Sequence, residues 1–158
     1  MNGFTEKDLE FMALAFQQAE LAAGDDEVPA GAVLVDREGW LVGRGRNQVI
    51  TLGDPTAHAE ILAIRAAAIE LGNYRLTGCT LYSTLEPCPM CLMTAIHARL
   101  ALVVYGAREP RWGAAGSLFD LASLEGLNHR LEIKGGLMAE ECGRLMSAFF
   151  KGKRRNKA

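Results

Sequence analysis

No apolar run in this 158-residue sequence approaches the ~20 residues of a bilayer-spanning helix, so a helical membrane protein is not expected. The opening stretch, Met1-Asn2-Gly3-Phe4-Thr5-Glu6-Lys7-Asp8, has neither the basic nor the apolar region of a secretion signal. Both absences predict a cytoplasmic protein. Repeats, low-complexity tracts and domain linkers are missing too, which leaves one globular domain over residues 1–150. With 49% hydrophobic residues, a chain of this length buries roughly 70% of the surface its unfolded form exposes. Cysteine is sparse. The four present could pair, but in a reducing compartment a Cys-x-x-Cys motif such as Cys88–Cys91 more often binds metal or carries redox chemistry. Cys79 and Cys142 sit among apolar neighbours and read as buried, inert thiols.

Acidic residues are absent from the last eight positions, where Lys151 to Ala158 hold five of the 17 basic residues. Residues 1–150 therefore carry 12 basic against 19 acidic residues, or −7, and the tail carries +5, for the net −2. A basic tail (151–158) on an acidic body suggests contact with a polyanion. A frayed, solvated end is the plainer alternative.

Thr5 with Asp8 marks a helix start, and Leu9, Met12, Ala13, Phe16 and Ala19 recur at helical spacing up to Gly24. Ala30–Asp36 and Trp40–Gly45, around Arg37-Glu38-Gly39, read as a hairpin. Residues 46–57 read as a polar loop. A helix follows from Ala57 or His58 to Gly72, then a strand at Thr80–Leu85, a short helix at Pro89–Ala98 and a strand at Ala101–Tyr105. The last three form a βαβ unit, whose strands must run parallel through a right-handed crossover, so the sheet is mixed. Gly106–Ser117 reads as a glycine-rich loop, Arg130–Ile133 as an edge strand and Leu137–Phe150 as a final helix.

The chemistry concentrates in His58-Ala59-Glu60 and Pro87-Cys88-Pro89-Met90-Cys91. A structural zinc site fills four corners with Cys or His, whereas a catalytic one uses three protein ligands and leaves the fourth open. His58, Cys88 and Cys91 make three, for one Zn2+ per subunit. Residues two apart on a helix point about 200° apart, so His58 and Glu60 share a site only at a helix end, for which Asp54-Pro55-Thr56 supplies turn and cap chemistry. Cys88 and Cys91 share a face, with Pro89 suited to the first helical position. Zinc lowers the pKa of bound water from about 15.7 to about 7, but two thiolates blunt that effect. Glu60 is the expected base. A packed histidine with a redox or core cysteine pair is the bland reading of the same residues.

The pairing of His-x-Glu with Pro-Cys-x-x-Cys resembles the signature of zinc nucleobase deaminases. Further segments narrow the resemblance: Asp54-Pro55-Thr56-Ala57, Asn73-Tyr74-Arg75-Leu76, Thr84-Leu85-Glu86, Gly106-Ala107-Arg108, Gly113-Ala114-Ala115-Gly116-Ser117, Asn128-His129-Arg130 and Phe149-Phe150. Together they are similar to the bacterial tRNA-specific adenosine deaminases over nearly the whole chain. That resemblance implies a three-layer α/β/α fold of the cytidine-deaminase type with about five strands, and a homodimer. It implies conversion of the wobble adenosine of an arginine tRNA anticodon to inosine. It also implies that Asn47 binds the flipped base, that Arg108 borders the anticodon, and that His129, Phe149 and Arg154, with Phe150, Lys151, Lys153 and Arg155, face RNA.

The sequence departs from the family pattern at Glu109, where aspartate is usual, and at Arg111-Trp112. Leu92-Met93-Thr94 is bulkier than usual. A guanine or cytosine-type deaminase acting on a free base or nucleoside is the nearest rival, since it shares the metal motif. A zinc-stabilised RNA-binding module, a silent subunit of a heterodimer and a thioredoxin-like oxidoreductase are further alternatives, against which Glu60 and His58 argue.

Overall fold

A computed structural model describes residues 3–157; Met1 and Asn2 at the start of the chain and Ala158 at the end of the basic tail lie outside the described residues. Helix α1 (Glu6–Gly24) begins on a reciprocal cap in which Asp8 N–H donates to the Thr5 hydroxyl and Thr5 N–H to the Asp8 carboxylate. Strands β1 (Gly31–Val35) and β2 (Leu41–Arg46) form the expected antiparallel hairpin. The stretch expected to be only loop contains a short helix, α2 (Val49–Leu52). Its cause is remote in sequence. The buried Glu27 carboxylate accepts from the N–H groups of Ile50 and Thr51, at 3.1 and 2.7 Å, and from the Thr51 hydroxyl at 2.7 Å.

Helix α3 (Ala59–Leu71) stops at Gly72 in the left-handed conformation. Strand β3 (Thr80–Leu85), helix α4 (Pro89–His97) and strand β4 (Leu102–Ala107) follow, with β3 and β4 paired in parallel. The sheet order is β2-β1-β3-β4-β5, antiparallel across the first three strands and parallel across the last three. Edge strand β5 (Glu132–Gly135) lies two residues beyond its expected place. Leu131 turns into the core, and pairing starts only where Glu132 N–H donates to Ala101 O.

Side chains alternate across the strands. Leu34, Leu81 and Val103 pack under α3 and α4, while Val33, Tyr82 and Val104 pack under α1, with the last helix, α5 (Ala139–Lys157), on that same side. The result is three layers. Helix α3 lies directly on β2, because a Cβ at Gly43 or Gly45 would come within 2.3 Å of Ala63 O or 2.2 Å of Ala59 O. Leu92 is fully buried in this packing and Met93 packs against it. Helix α5 does not end at Phe150: the basic residues continue it through Lys157. Gly152 only weakens a helix, and basic residues near a helix C-terminus complement its dipole. Among the described residues no helix is long and apolar enough to cross a membrane.

Candidate active site

Two helix starts meet beyond the C-terminal end of β3. His58 is the N-cap of α3 and Cys88 the N-cap of α4, both extended, at ψ 154° and 172°. Leaving helical geometry at the cap lets His58 and Glu60 serve one site. Upstream, the Asp54 carboxylate accepts from the Thr56 N–H and hydroxyl, both at 2.8 Å, which fixes the turn into the cap. Pro89 takes the first helical position of α4, where its missing N–H has no cost.

His58 Nδ1 lies 3.6 Å from Cys88 Sγ and 3.4 Å from Cys91 Sγ. A tetrahedral ion with bonds of ~2.0–2.1 Å to nitrogen and ~2.3 Å to sulfur implies an N···S edge of about 3.6 Å. The donors therefore fit zinc. No fourth His, Cys, Asp or Glu joins the group among the described residues, as a catalytic site requires.

Electrostatics supports anionic sulfur. Cys88 is pulled down to about 4, chiefly by a hydrogen bond from the Cys91 thiol, with His58 adding to it against the cost of burial. The same bond, with burial, pushes Cys91 up, and the bond to Cys88 raises His58. A cation among the three, with two positive helix ends pointing at it, favours thiolate on both sulfurs. Glu60, on the first turn of α3, is 5% exposed, and burial pushes its carboxyl up to about 7.

These groups open into a cleft of about 1050 Å³. Asn47, 8% exposed and held through its N–H to Ala30 O at 3.0 Å, lines one side. The end of α5 lines another, through Phe149, Phe150, Lys153 and Arg154. Phe149 and Phe150 meet edge to face at 5.4 Å, and Lys153 Nζ pairs with Asp26 at 2.5 Å, which anchors the helix end.

The structure thus brings His58, Cys88, Glu60, Asn47, Phe149 and Arg154 to one cleft, with Cys91 buried behind His58 and Cys88. Arg108 is exposed and does not line it, although its neighbour Glu109 does. His129 is placed elsewhere in this chain: its Nε2 donates to Leu100 O at 2.7 Å, at the opposite end of β4 from the metal donors. Within this chain it is an anchor for the loop before β5. Sequence reasoning missed Glu86, 2% exposed, whose carboxylate accepts from Glu109 N–H at 3.2 Å, Ala115 N–H at 3.0 Å and Ser117 N–H at 3.1 Å. A charged residue between an apolar strand and the Pro-Cys pair was the available signal.

Fold and donor set together define a zinc-dependent deaminase domain. The chain belongs to the cytidine and deoxycytidylate deaminase family, whose zinc-binding region matches residues 5–107. It is 44% identical over 153 residues to a tRNA-specific adenosine deaminase of Haemophilus influenzae, covering 97% of this chain and 88% of that protein. A solved structure from studies of A-to-I editing by tRNA:A34 deaminases at the wobble position of transfer RNA superposes with a TM-score of 0.83 at 42% identity, covering 86% of this chain and 98% of that one. A guanine deaminase from Bacillus subtilis is more distant, with a TM-score of 0.62 at 31% identity, covering 92% and 94%.

Proposed function

We propose that this protein is a zinc-dependent hydrolase that converts the wobble adenosine of a tRNA anticodon to inosine and releases ammonia. The observation that carries this reading is the cleft: about 1050 Å³ beside Glu60, His58 and Cys88, continuing to the basic end of α5. Small-molecule pockets span ~300–1,000 Å³. This one reaches the top of that range, and its cations Lys153, Arg154 and Lys157, for which a neutral free base has no use, support a polynucleotide over the free-base rival. A base in a single-stranded loop is also splayed out at lower cost than one in a duplex.

Zinc, which His58, Cys88 and Cys91 would hold, would supply Lewis acidity to the attacking water and so ease its deprotonation. Glu60 takes a proton from the attacking water as oxygen bonds to C6 of the adenine, and delivers it to the ring nitrogen, which makes that carbon electrophilic. The bond from C6 to the exocyclic amino nitrogen then breaks. One water proton ends on the ring nitrogen and the other leaves with ammonia, so Glu60 returns to its starting form. Asn47 holds the base edge, while Lys153, Arg154 and Lys157 meet phosphates. An arginine tRNA as substrate, a homodimer as working form and a cytoplasmic location complete the reading, supported by resemblance to the tRNA-specific enzymes.

The test is a side-by-side assay on tRNA, an anticodon stem-loop, guanine, cytosine and cytidine, with inosine located by sequencing and mass measured by ultracentrifugation. Inosine at the wobble position is expected. Exclusive turnover of a free base would overturn the reading.

A further inference from the structure

Trp112 is 63% exposed, yet it lines the cleft. The turn that carries it is held tightly. Gly113 N–H donates to Glu109 O at 2.7 Å, closing residues 109–113 into one turn, and Ala114 N–H donates to Pro87 O at 2.8 Å. A Glu109 carboxylate oxygen accepts from Arg111 N–H at 2.9 Å. The Glu86 carboxylate clamps both ends of the segment, through Glu109 on one side and through Ala115 and Ser117 on the other. Gly113 has no room for a side chain, since a Cβ would lie 2.4 Å from Glu86 Oε2. The turn is therefore bolted to the peptide that leads into Cys88. The backbone that carries the indole is already ordered, so only the side chain's own two rotations are lost when a partner arrives.

Its surroundings indicate what that partner is. Phe149, Phe150, Lys153 and Arg154 line the same cleft, and Arg111 beside the indole is exposed. Aromatic faces interleaved with cations are how single-stranded nucleic acid is held: bases stack on the rings while the charges follow the phosphates. A buried apolar ligand would have no use for the cations. Given the RNA substrate of the proposed function, we infer that Trp112 is a stacking platform for an unpaired nucleobase next to the one that enters the zinc pocket. It is a substrate-positioning residue and takes no part in proton transfer. Because every base has a π face, it accepts any base there and loses only an abasic position.

The test compares the wild type, Trp112→Ala and Trp112→Phe on anticodon stem-loops that are intact or abasic at each position flanking the reactive adenosine. Trp112→Ala should weaken binding and raise KM on the intact RNA roughly five- to a hundredfold, with a smaller change in kcat. Trp112→Phe should restore most of the loss. One abasic flank should erase the difference between wild type and Trp112→Ala. The chain has two tryptophans, so in a Trp40→Phe background the Trp112 fluorescence should quench on the intact stem-loop and not on that abasic one. Zinc content and thermal midpoint check that the variants are folded. If the wild type edits the stem-loop while Trp112→Ala binds it equally well, the platform is overturned and the deaminase reading stands. An equal loss on every abasic RNA overturns it too, because the indole then acts on something other than a flanking base. A wild type that neither binds nor edits the stem-loop sinks both.

Discussion

Glu60 and Glu27 are both buried glutamates, and their partners separate their roles. Glu60 faces the cleft beside the metal donors but is not one of them, so removing its charge should leave the metal in place. Glu60→Gln is expected to retain zinc and fold normally while kcat falls by at least ~10²-fold, the usual share of a positioned acid–base group. Metal analysis alongside single-turnover kinetics checks this; undiminished turnover would remove Glu60 from the mechanism. Glu27 instead spends its carboxylate on backbone. Burial pushes its pKa upward, but hydrogen bonds from Thr51 and Ile50 outweigh burial and the nearby Asp26 charge, and hold it below its ordinary value of 4.5. A carboxylate depressed in the folded state stabilises fully above its unfolded pKa, and that stability is lost as pH falls through the folded value. Wild type should therefore lose stability relative to Glu27→Gln as pH drops below about 4.5, and the two acid-unfolding curves should converge. Parallel curves across that window would mean that the α2 cap stores no pH-dependent stability.

Between elements, the packing that positions the site is α3 on β2, made possible by glycines. Gly45→Ala would set a Cβ 2.2 Å from the carbonyl of Ala59, the residue between His58 and Glu60. Overpacking of this kind costs about 1–3 kcal/mol or more, and here the relief is to move α3. Zinc affinity should fall together with the thermal midpoint, whereas Gly24→Ala, with open space around its Cβ, should leave zinc affinity alone. The end of α5 gives a second prediction. Deleting residues 151–158 removes Lys153, Arg154 and Lys157 from the cleft, so stem-loop affinity should drop and the log–log salt slope should shrink by about 0.7 for each phosphate left without its cation. Elements announced by local pattern were legible in advance. The Thr5 cap, the β1–β2 hairpin and the two helix starts at His58 and Cys88 all rest on neighbours a few residues away. The rest depended on hydrogen bonds across 23 to 31 positions: Glu27 forming α2 and Glu86 tying down residues 109–117. The position of His129 in this chain was not legible for the same reason, since a motif does not reveal which end of a sheet it reaches. The extent of α5 beyond Phe150 was not legible, because the Lys153–Asp26 pair that anchors the helix end spans 127 residues in sequence.

At the scale of the whole molecule, the metal donors tie together the starts of two helices that lie thirty residues apart in sequence, touch each other and rest on the same sheet. The donors come together only in the folded chain, so zinc stabilises the fold by mass action, by about 4.1 kcal/mol at a thousandfold excess over Kd. For a domain of this size that is a shift in midpoint on the order of 10 °C. Chelation should lower the thermal midpoint by a shift of that order and abolish deamination, and added zinc should restore both. Cys88→Ser should begin near the chelated midpoint and respond little to zinc, because one donor is gone. Glu60→Gln should show the full zinc-dependent shift while remaining inactive, since it keeps all three donors and lacks only the proton carrier. The pair of variants separates metal as scaffold from metal as reagent. If chelation strips the ion and silences the enzyme without moving the midpoint, the three donors are held in place by packing around α3 and α4 alone, and zinc contributes to the chemistry without stabilising the fold.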